Sequence, residues 1–399
     1  MKGILLSVLL GVVLLPLYGC NSATQSQNHE TTEQAISPKR PFITKWCSVE
    51  EELTYNIPIV GTYTLTWYNE ATPEERHTEQ VTVTTYTNAD GVEEIRPFRL
   101  VTPAAGTYVV EAGPEGVEGL SMSFPSARLF TPDLLEVVQF GDVAWRQLSF
   151  AYCSNMQFAS GIDTPDLRLV TSLAGAFEGC EKLNAPLEKW DVSHVTDMRG
   201  MFAGCEAFNQ PLEGWNVSQV THMSNMFRRC SSFNQPLERW DVSHVTDMSF
   251  LFTGCVLFNQ PLGAWKIGAV TDMSHMFEMC QHFNQPLEQW DVSKVTKMNY
   301  LFQNCEAFNQ PLERWDVSQV EDMTCLFHNC RLFNQPLATW NVGKATKMGM
   351  MFAGCHAFEQ SLETWAVGNV ANMFNMFKDC PAAALPFVAT WQAAGHSFE

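Results

Sequence analysis

The sequence predicts a right-handed solenoid of 25-residue coils, each a short β-strand followed by a short helix, preceded by a small all-β domain. Three observations predict it. Cysteines stand at 180, 205, 230, 255, 280, 305, 330, 355 and 380, every interval being 25 residues. Tryptophans stand at 190, 215, 240, 265, 290, 315, 340 and 365, again every 25. A phenylalanine precedes each of those cysteines by three residues, from Phe177 to Phe377. A fixed period in this range, held without an insertion, marks a chain in which each repeat is one unit that buries its apolar face only by stacking on its neighbours.

One coil, read from Phe208, supplies the local elements. Leu212, Trp215 and Val217 fall as L-x-x-W-x-V, the spacing of the strand segment in leucine-rich repeats, so the coil is leucine-rich-repeat-like. Val220, Met223, Met226, Phe227 and Cys230 follow at spacings of three and four, which predicts a short α- or 3₁₀-helix. Thr221 is placed to cap it, as are Thr196 and Thr246 in other coils. A fully buried apolar side chain contributes roughly 1.5–3 kcal/mol. Ordering a whole coil costs a total comparable to what its apolar positions supply, so the stack folds and the single coil does not. Asn184, Asn209, Asn234, Asn259, Asn284, Asn309 and Asn334 form one column, expected to hydrogen-bond the backbone of neighbouring coils. Glu359 breaks the column near the end, and Pro211 with its equivalents fixes the turn into the strand.

Before the repeats, Thr62–Trp67, Gln80–Tyr86 and Thr107–Glu111 alternate with β-branched and aromatic residues. Asn88–Gly91 and Pro103–Gly106 punctuate them as turns, and the set predicts a small β-sandwich. Lys2 and the apolar run Ile4–Leu17, too short to span a bilayer, precede Leu17-Tyr18-Gly19-Cys20. Asn21–Arg40 is polar and carries too little apolar surface to fold. The expected organisation is a signal peptide at 1–19, a flexible tether at 20–40, the β-sandwich-like domain at 41–125, an N-terminal cap and lead-in repeat at 126–175, the solenoid at 176–380 and a C-terminal cap at 381–399.

Charge narrows the function. The 43 acidic residues outnumber 24 basic ones, a net charge of −19. No broad basic surface exists for phosphates, so nucleic acid is not an expected partner. Anionic membrane surfaces would repel the chain, so any membrane attachment must come from something other than its charge.

The repeat F-N-Q-P-L-E-x-W-D-V-S-x-V-T-D-M-x-x-M-F-x-x-C resembles that of the BspA-like leucine-rich-repeat surface proteins of bacteria. Pro41–Trp46 resembles the segment that opens the mature part of such proteins, and Val137–Asp142 with Trp145 resembles their lead into the first repeat. Leu17–Cys20 resembles a lipobox, which implies lipidation of Cys20 after cleavage before it; Asn21 after the cysteine implies the outer membrane where the cell has one. The resemblance implies a cell-surface lipoprotein, a PKD-like or immunoglobulin-like β-domain ahead of the repeats, and in some members adhesion to host matrix proteins. It implies no enzyme chemistry and no cofactor.

The cysteine column reads as small buried hydrophobes, with disulfides and metal binding as alternatives; no C-x-x-C pair occurs, and Cys325 and Cys330 are the closest two. The repeat cysteines are expected to stay reduced. Asp191, Asp241, Asp291, Asp316, Asp197, Asp247, Asp272 and Asp322 recur, so calcium between coils is conceivable. Lys266, Lys297 and Lys347 interrupt any regular ladder, which favours capping and solvation. The histidines are scattered, and no nucleophile–base–acid set appears.

Glu188, Glu213, Glu238, Glu288, Glu313 and Glu363 share one position between inward-facing Leu and Trp. They are expected to line the exposed strand face with Asp191, Asp241, Asp291 and Asp316, an acidic stripe suited to a basic partner. The functional expectation is a lipid-anchored surface protein that binds, through this face, a protein on a host cell, a neighbouring cell or the extracellular matrix. A structural envelope or spacer protein without a specific ligand is the alternative, and an enzyme is the third reading.

Overall fold

The structure is a computed structural model that describes residues 37–48, 53–89, 91, 93–122 and 134–398. The signal segment, Cys20 and the tether up to residue 36 lie outside them. Of the expected tether, Arg40 is in fact held. Its guanidinium pairs with Asp142 at 2.9 Å and Asp163 at 3.1 Å, and its N–H donates to Asp142.

The alternating segments form strands, as alternation in a half-buried sheet requires. β1 (Phe42–Ser48) buries Phe42, Thr44, Trp46 and Ser48 on one face. It pairs antiparallel with β8 (Gly106–Ala112) on one side and β10 (Leu134–Gln139) on the other. β3 (Ile59–Asn69) buries Ile59, Tyr63 and Leu65. It pairs antiparallel with β4 (His77–Val83), β8 and β9 (Val117–Ser121). β2 (Leu53–Ile57) with β7 (Phe98–Thr102), and β5 (Thr85–Thr87) with β6 (Glu93–Ile95), make two smaller ribbons. Two parallel pairings lead out of the main sheet: β9 with β11 (Gln147–Ser149), and β10 with β12 (Gln157–Phe158).

The boundary expected at residue 125 is therefore not a structural one. Strands β10, β11 and β12 come from beyond it, and one apolar core runs from Phe42 to Trp391. Phe42 meets Trp145 edge-on at 5.0 Å, and Phe140 meets Trp190 at 5.6 Å. Strand and turn signals locate elements, but say nothing of which element they pair with.

The repeats stack in register as a solenoid-type array, but their coils contain neither the predicted strand nor the predicted helix. The L-x-x-W segment is a turn: Trp215 N–H donates to Leu212 O. Contact between successive coils is a single-residue parallel bridge running from Ser172 through Asp197, His222, Asp247, Asp272, Lys297, Asp322 and Lys347 to Asn372. From there the M-x-x-M-F-x-x-C segment alternates. Met201, Ala203 and Cys205 donate three residues back within their coil. Met198, Gly200, Phe202 and Gly204 donate to His222, Ser224, Met226 and Arg228 of the next coil. A helix would spend every N–H on its own turn; here half of them join the stack. Two left-handed residues per coil make this alternation, Gly200 (φ 60°) and Gly204 (φ 77°) in this case, a conformation glycine adopts without steric cost. Thr196 and Thr221 cap nothing; each hydroxyl donates to the Thr carbonyl one coil back.

Side chains complete the columns. Phe202, Phe227, Phe252 and Phe277 stack at 5.6–5.8 Å, and Phe208, Phe233, Phe258 and Phe283 at 6.0–6.1 Å beside them. Each regular thiol donates to a Phe carbonyl of the preceding coil, as Cys255 Sγ does to Phe227 O at 2.9 Å. Trp215 Nε1 donates to Leu187 O at 2.9 Å. Asn184 Oδ1 accepts from Asn209 N–H and Gln210 Nε2, and the pattern repeats up the Asn column until Glu359 N–H on Asn334. The array ends in a helix, α1 (Pro386–Ala393), which buries Phe387, Val388 and Trp391 against the last coil.

Candidate interaction surface

The acidic residues singled out in the sequence lie along a row of turns, not on a strand face. Glu188, Glu213, Glu238, Glu288, Glu313 and Glu363 each follow the turn-opening Leu and are exposed or partly exposed. The column is interrupted by Gly263 and Ala338. Two of its members are partly neutralised from the next coil: Arg239 Nε lies 3.4 Å from Glu213, and Arg314 Nε lies 3.1 Å from Glu288.

Asp191, Asp241, Asp291 and Asp316 also serve the backbone. Each carboxylate accepts the N–H two residues on, from Ser193, Ser243, Ser293 and Ser318 at 3.0–3.1 Å. Such an Asx turn satisfies a backbone donor where the chain reverses. The serine hydroxyls and N–H groups hold Asp191, Asp241 and Asp291 below the usual carboxylate range. Asp247, Asp272 and Asp322 do the same for Ser249, Ser274 and Thr324. Burial pushes Asp272 and Asp322 upward, but their hydrogen bonds and Lys297 or Lys347 bring them down overall. The aspartates that suggested calcium thus face their own turns and lysines. Among the described residues no three His, Cys, Asp or Glu side chains converge as metal ligands would. The cysteines of the described residues are free, and all but Cys47 are buried; burial pushes the buried thiols up, as at Cys255 and Cys280.

A different surface stands out on the segment that joins the coils. The left-handed position occupied by Gly175 and Gly200 is taken by Phe250, His275, Tyr300 and Met350 farther along, with φ of 54–61°. Bulky residues in this region are outliers that cost energy. Three of them form a stack: the rings of Phe250 and His275 are 4.3 Å apart, and those of His275 and Tyr300 are 4.4 Å apart. His275 Nδ1 lies 2.8 Å from Glu278. Leu257 and Met279, 48% and 44% exposed, flank the cysteines of the Phe250 and His275 coils, and Leu332, 57% exposed, flanks the cysteine of the coil after Tyr300's. The charges nearby are largely paired within the face, Lys297 with Asp272 and Lys347 with Asp322. Sequence reading passed over this set because its position is variable. The signal was the departure of 250, 275 and 300 from glycine in that column.

Residues 146–255, 235–331 and 308–393 each match the family described as "Mycoplasma protein of unknown function, DUF285", together more than half of the chain. The chain belongs to the DUF285 family. No curated protein and no solved structure matches it. The DUF285 matches begin at Arg146, beside the lead-in strand β11, and end with the last residue of α1. The family unit therefore includes the lead-in coil and the closing helix, and the sheet strands β1 to β10 lie before it.

Proposed function

We propose that this DUF285 chain is a BspA-like surface lipoprotein, anchored through Cys20, that binds other proteins through the coil-joining face of its middle repeats. In this reading the coils form a right-handed leucine-rich-repeat-like stack, and the N-terminal sheet serves as a PKD- or immunoglobulin-like spacer. One observation carries it: exposed Leu257 and Met279 lie in the coils of Phe250 and His275, members of the strained Phe250–His275–Tyr300 stack, and exposed Leu332 lies one coil past Tyr300. Exposed apolar groups gathered on one face mark interaction sites more than scattered ones do. Strained backbone persists where something is gained from it. The acidic turns at Glu188–Glu363 would add long-range attraction for a basic partner rather than the contact itself.

The test is capture of cell-surface and matrix proteins on the immobilised chain, with any partner re-measured against a Leu257→Ser, Met279→Ser, Leu332→Ser variant. These positions are exposed, so the fold should survive while affinity drops at least tenfold. Undiminished binding by a folded triple variant would remove this face from the reading. Anchoring is checked separately: Cys20→Ser should abolish acyl labelling, and retained label would refute the lipobox.

A further inference from the structure

The lead-in coil leaves a cavity of about 360 Å³ against the first regular coil, lined by Phe158, Ile162, Ala185, Pro186 and Trp190 with Asn184 and Lys189 at hand. Its origin is visible in the hydrogen bonds. Asp163 accepts N–H bonds from Phe140 (2.7 Å) and Gly141 (3.0 Å) and pairs with Arg40. Ala159 N–H donates to Val137 O. These contacts draw Ala159–Thr164 toward the sheet and away from the path that later coils follow. Gly161, at φ 73°, helps the chain turn aside.

The detour has a chemical consequence at Trp190. In each of the next seven coils, from Trp215 to Trp365, the indole N–H donates to a Leu carbonyl of the coil before. Trp190 is only 5% exposed and lines the cavity, yet among the described residues its N–H has no acceptor. The backbone N–H of Asn184 has none either, whereas Asn209 N–H and its successors donate to the Asn Oδ1 one coil back. Ala185 stands where later coils carry Gln210 and its equivalents, so the space is not filled from within. Both donors open on the cavity, where a ligand acceptor can take the place of water.

We infer that this cavity is a binding site for a short peptide segment that brings an amide oxygen and an aliphatic side chain together. The later coils define what fits: there, Asn-Gln-Pro-Leu of the preceding coil offers Asn Oδ1 to the Asn and Gln donors and the Leu carbonyl to the Trp N–H. A ligand of this class would give Trp190 and Asn184 the acceptors that the lead-in coil withdraws. It would set an aliphatic group against Phe158 and Ile162. Glu188 and Lys189 at the rim bring opposite charges, so the ligand needs no net charge. The inference is independent of the face formed by the middle coils.

The probe is a fluorescent peptide, acetyl-Phe-Asn-Gln-Pro-Leu-Glu-amide, titrated into the full chain by anisotropy beside a scrambled peptide. Saturable binding of the ordered sequence alone is expected. Trp190→Phe keeps the ring and removes the N–H, and should weaken affinity about tenfold, the worth of one hydrogen bond. Ala185→Leu fills the cavity while leaving the indole intact, and should abolish binding. Trp215→Phe, whose N–H is already bonded to Leu187, should leave peptide affinity unchanged. Where Trp190→Phe does not fold, Ala185→Leu decides. Absence of saturable binding, equal binding of the scrambled peptide, or full affinity in Ala185→Leu would overturn the site.

Discussion

The regular coils and the lead-in region that precedes them are built from the same residue types and treat polar groups in opposite ways. From Trp215 to Trp365 every indole N–H has a carbonyl. In the lead-in, Trp145 is fully buried with its Nε1 unpaired among the described residues, and Trp190, on the first regular coil facing it, has no acceptor there. In the coils each recurring Cys, Asn, Thr and Asp has one fixed backbone partner. In the lead-in, Asp163 is diverted to the sheet and to Arg40. Repetition satisfies polar groups because each coil supplies what the next one needs. Where repetition begins that supply fails, as at Trp145 Nε1; the other buried side-chain atom without a partner among the described residues, Gln303 Oε1, sits at a variable position of a middle coil. In such a stack, recurring residues report the scaffold, and specific binding is to be sought where the pattern breaks: at the lead-in, and at the variable left-handed column.

The strongest way to break this comparison is to cut a column in its middle and at its start. Phe252 touches Phe227, Phe258 and Phe277 at 4.3–5.8 Å and is fully buried. Phe252→Ala should cost about 3–5 kcal/mol. Phe158 borders a cavity and is only partly buried, so Phe158→Ala should cost markedly less. Urea unfolding of both variants provides the comparison; equal losses would mean that the lead-in is packed as tightly as the stack.

The thiols offer a second, smaller contrast, between middle and end. Cys255→Val keeps an apolar side chain and removes the thiol's hydrogen bond to Phe227 O, which still accepts the Cys230 N–H, for an expected loss of about 0.5–1.5 kcal/mol. Cys380 sits at the last coil, 3.6 Å from Phe358 O, and burial pushes its thiol up only to about 11. It should be the first repeat cysteine to react with a thiol reagent, while Cys255 reacts only on unfolding. Thiols that remain hidden after denaturation without reductant would show cross-linking and contradict the column geometry.

These columns were legible in the sequence, and the path between them was not. A strict period of 25 puts Cys180 to Cys380, the tryptophans and the asparagines into register whatever the coil looks like inside. The spacing Val220, Met223, Met226, Phe227, Cys230 reads as helix because a succession of turns also returns a side chain inward every three or four residues. Only the left-handed residues separate the two, and their signs, Gly200 and Gly204, lay in positions where Asn225, Arg229 and Phe250 blur the pattern. The acidic column was legible as exposed, but its assignment to a strand depended on the L-x-x-W-x-V match. The middle face was not legible, because Phe250, His275 and Tyr300 differ from one another and meet only once coils are stacked.

Acid separates the Asx turns from the apolar columns. The folded state holds Asp191, Asp241 and Asp291 below their ordinary value through serine hydroxyl and backbone hydrogen bonds. Their contribution is complete above the unfolded carboxylate pKa of about 4, and is lost as pH falls through the lowered folded value. Thermal unfolding should be flat from pH 7 to 5 and drop below about pH 4. Asn216 and Asn341 already fill the same turn role without charge. Asp191→Asn should therefore be nearly neutral at pH 7 and slightly protective in acid. A melting temperature that begins to fall at pH 6 would point to histidines instead.

The smallest effect is expected where the sequence first pointed to function. Glu213 and Glu288 meet Arg239 and Arg314 across adjacent coils, but the arginine side chains are 81% and 69% exposed. Water screens such pairs, and ordering two long side chains offsets much of the attraction. A double-mutant cycle on Glu213 and Arg239 should give a coupling below about 0.5 kcal/mol, shrinking further in salt. Reversing Glu213, Glu238, Glu288 and Glu313 to Lys should accordingly leave the urea midpoint nearly unchanged. What it should alter is the approach of a basic partner. The charge of the turn row changes by eight units while the coil-joining face keeps its contacts, so the association rate should fall and the dissociation rate should hold. A dissociation rate that rises as much as the association rate falls would place these carboxylates inside the contact, and would restore the acidic row as the binding surface in place of Leu257, Met279 and Leu332.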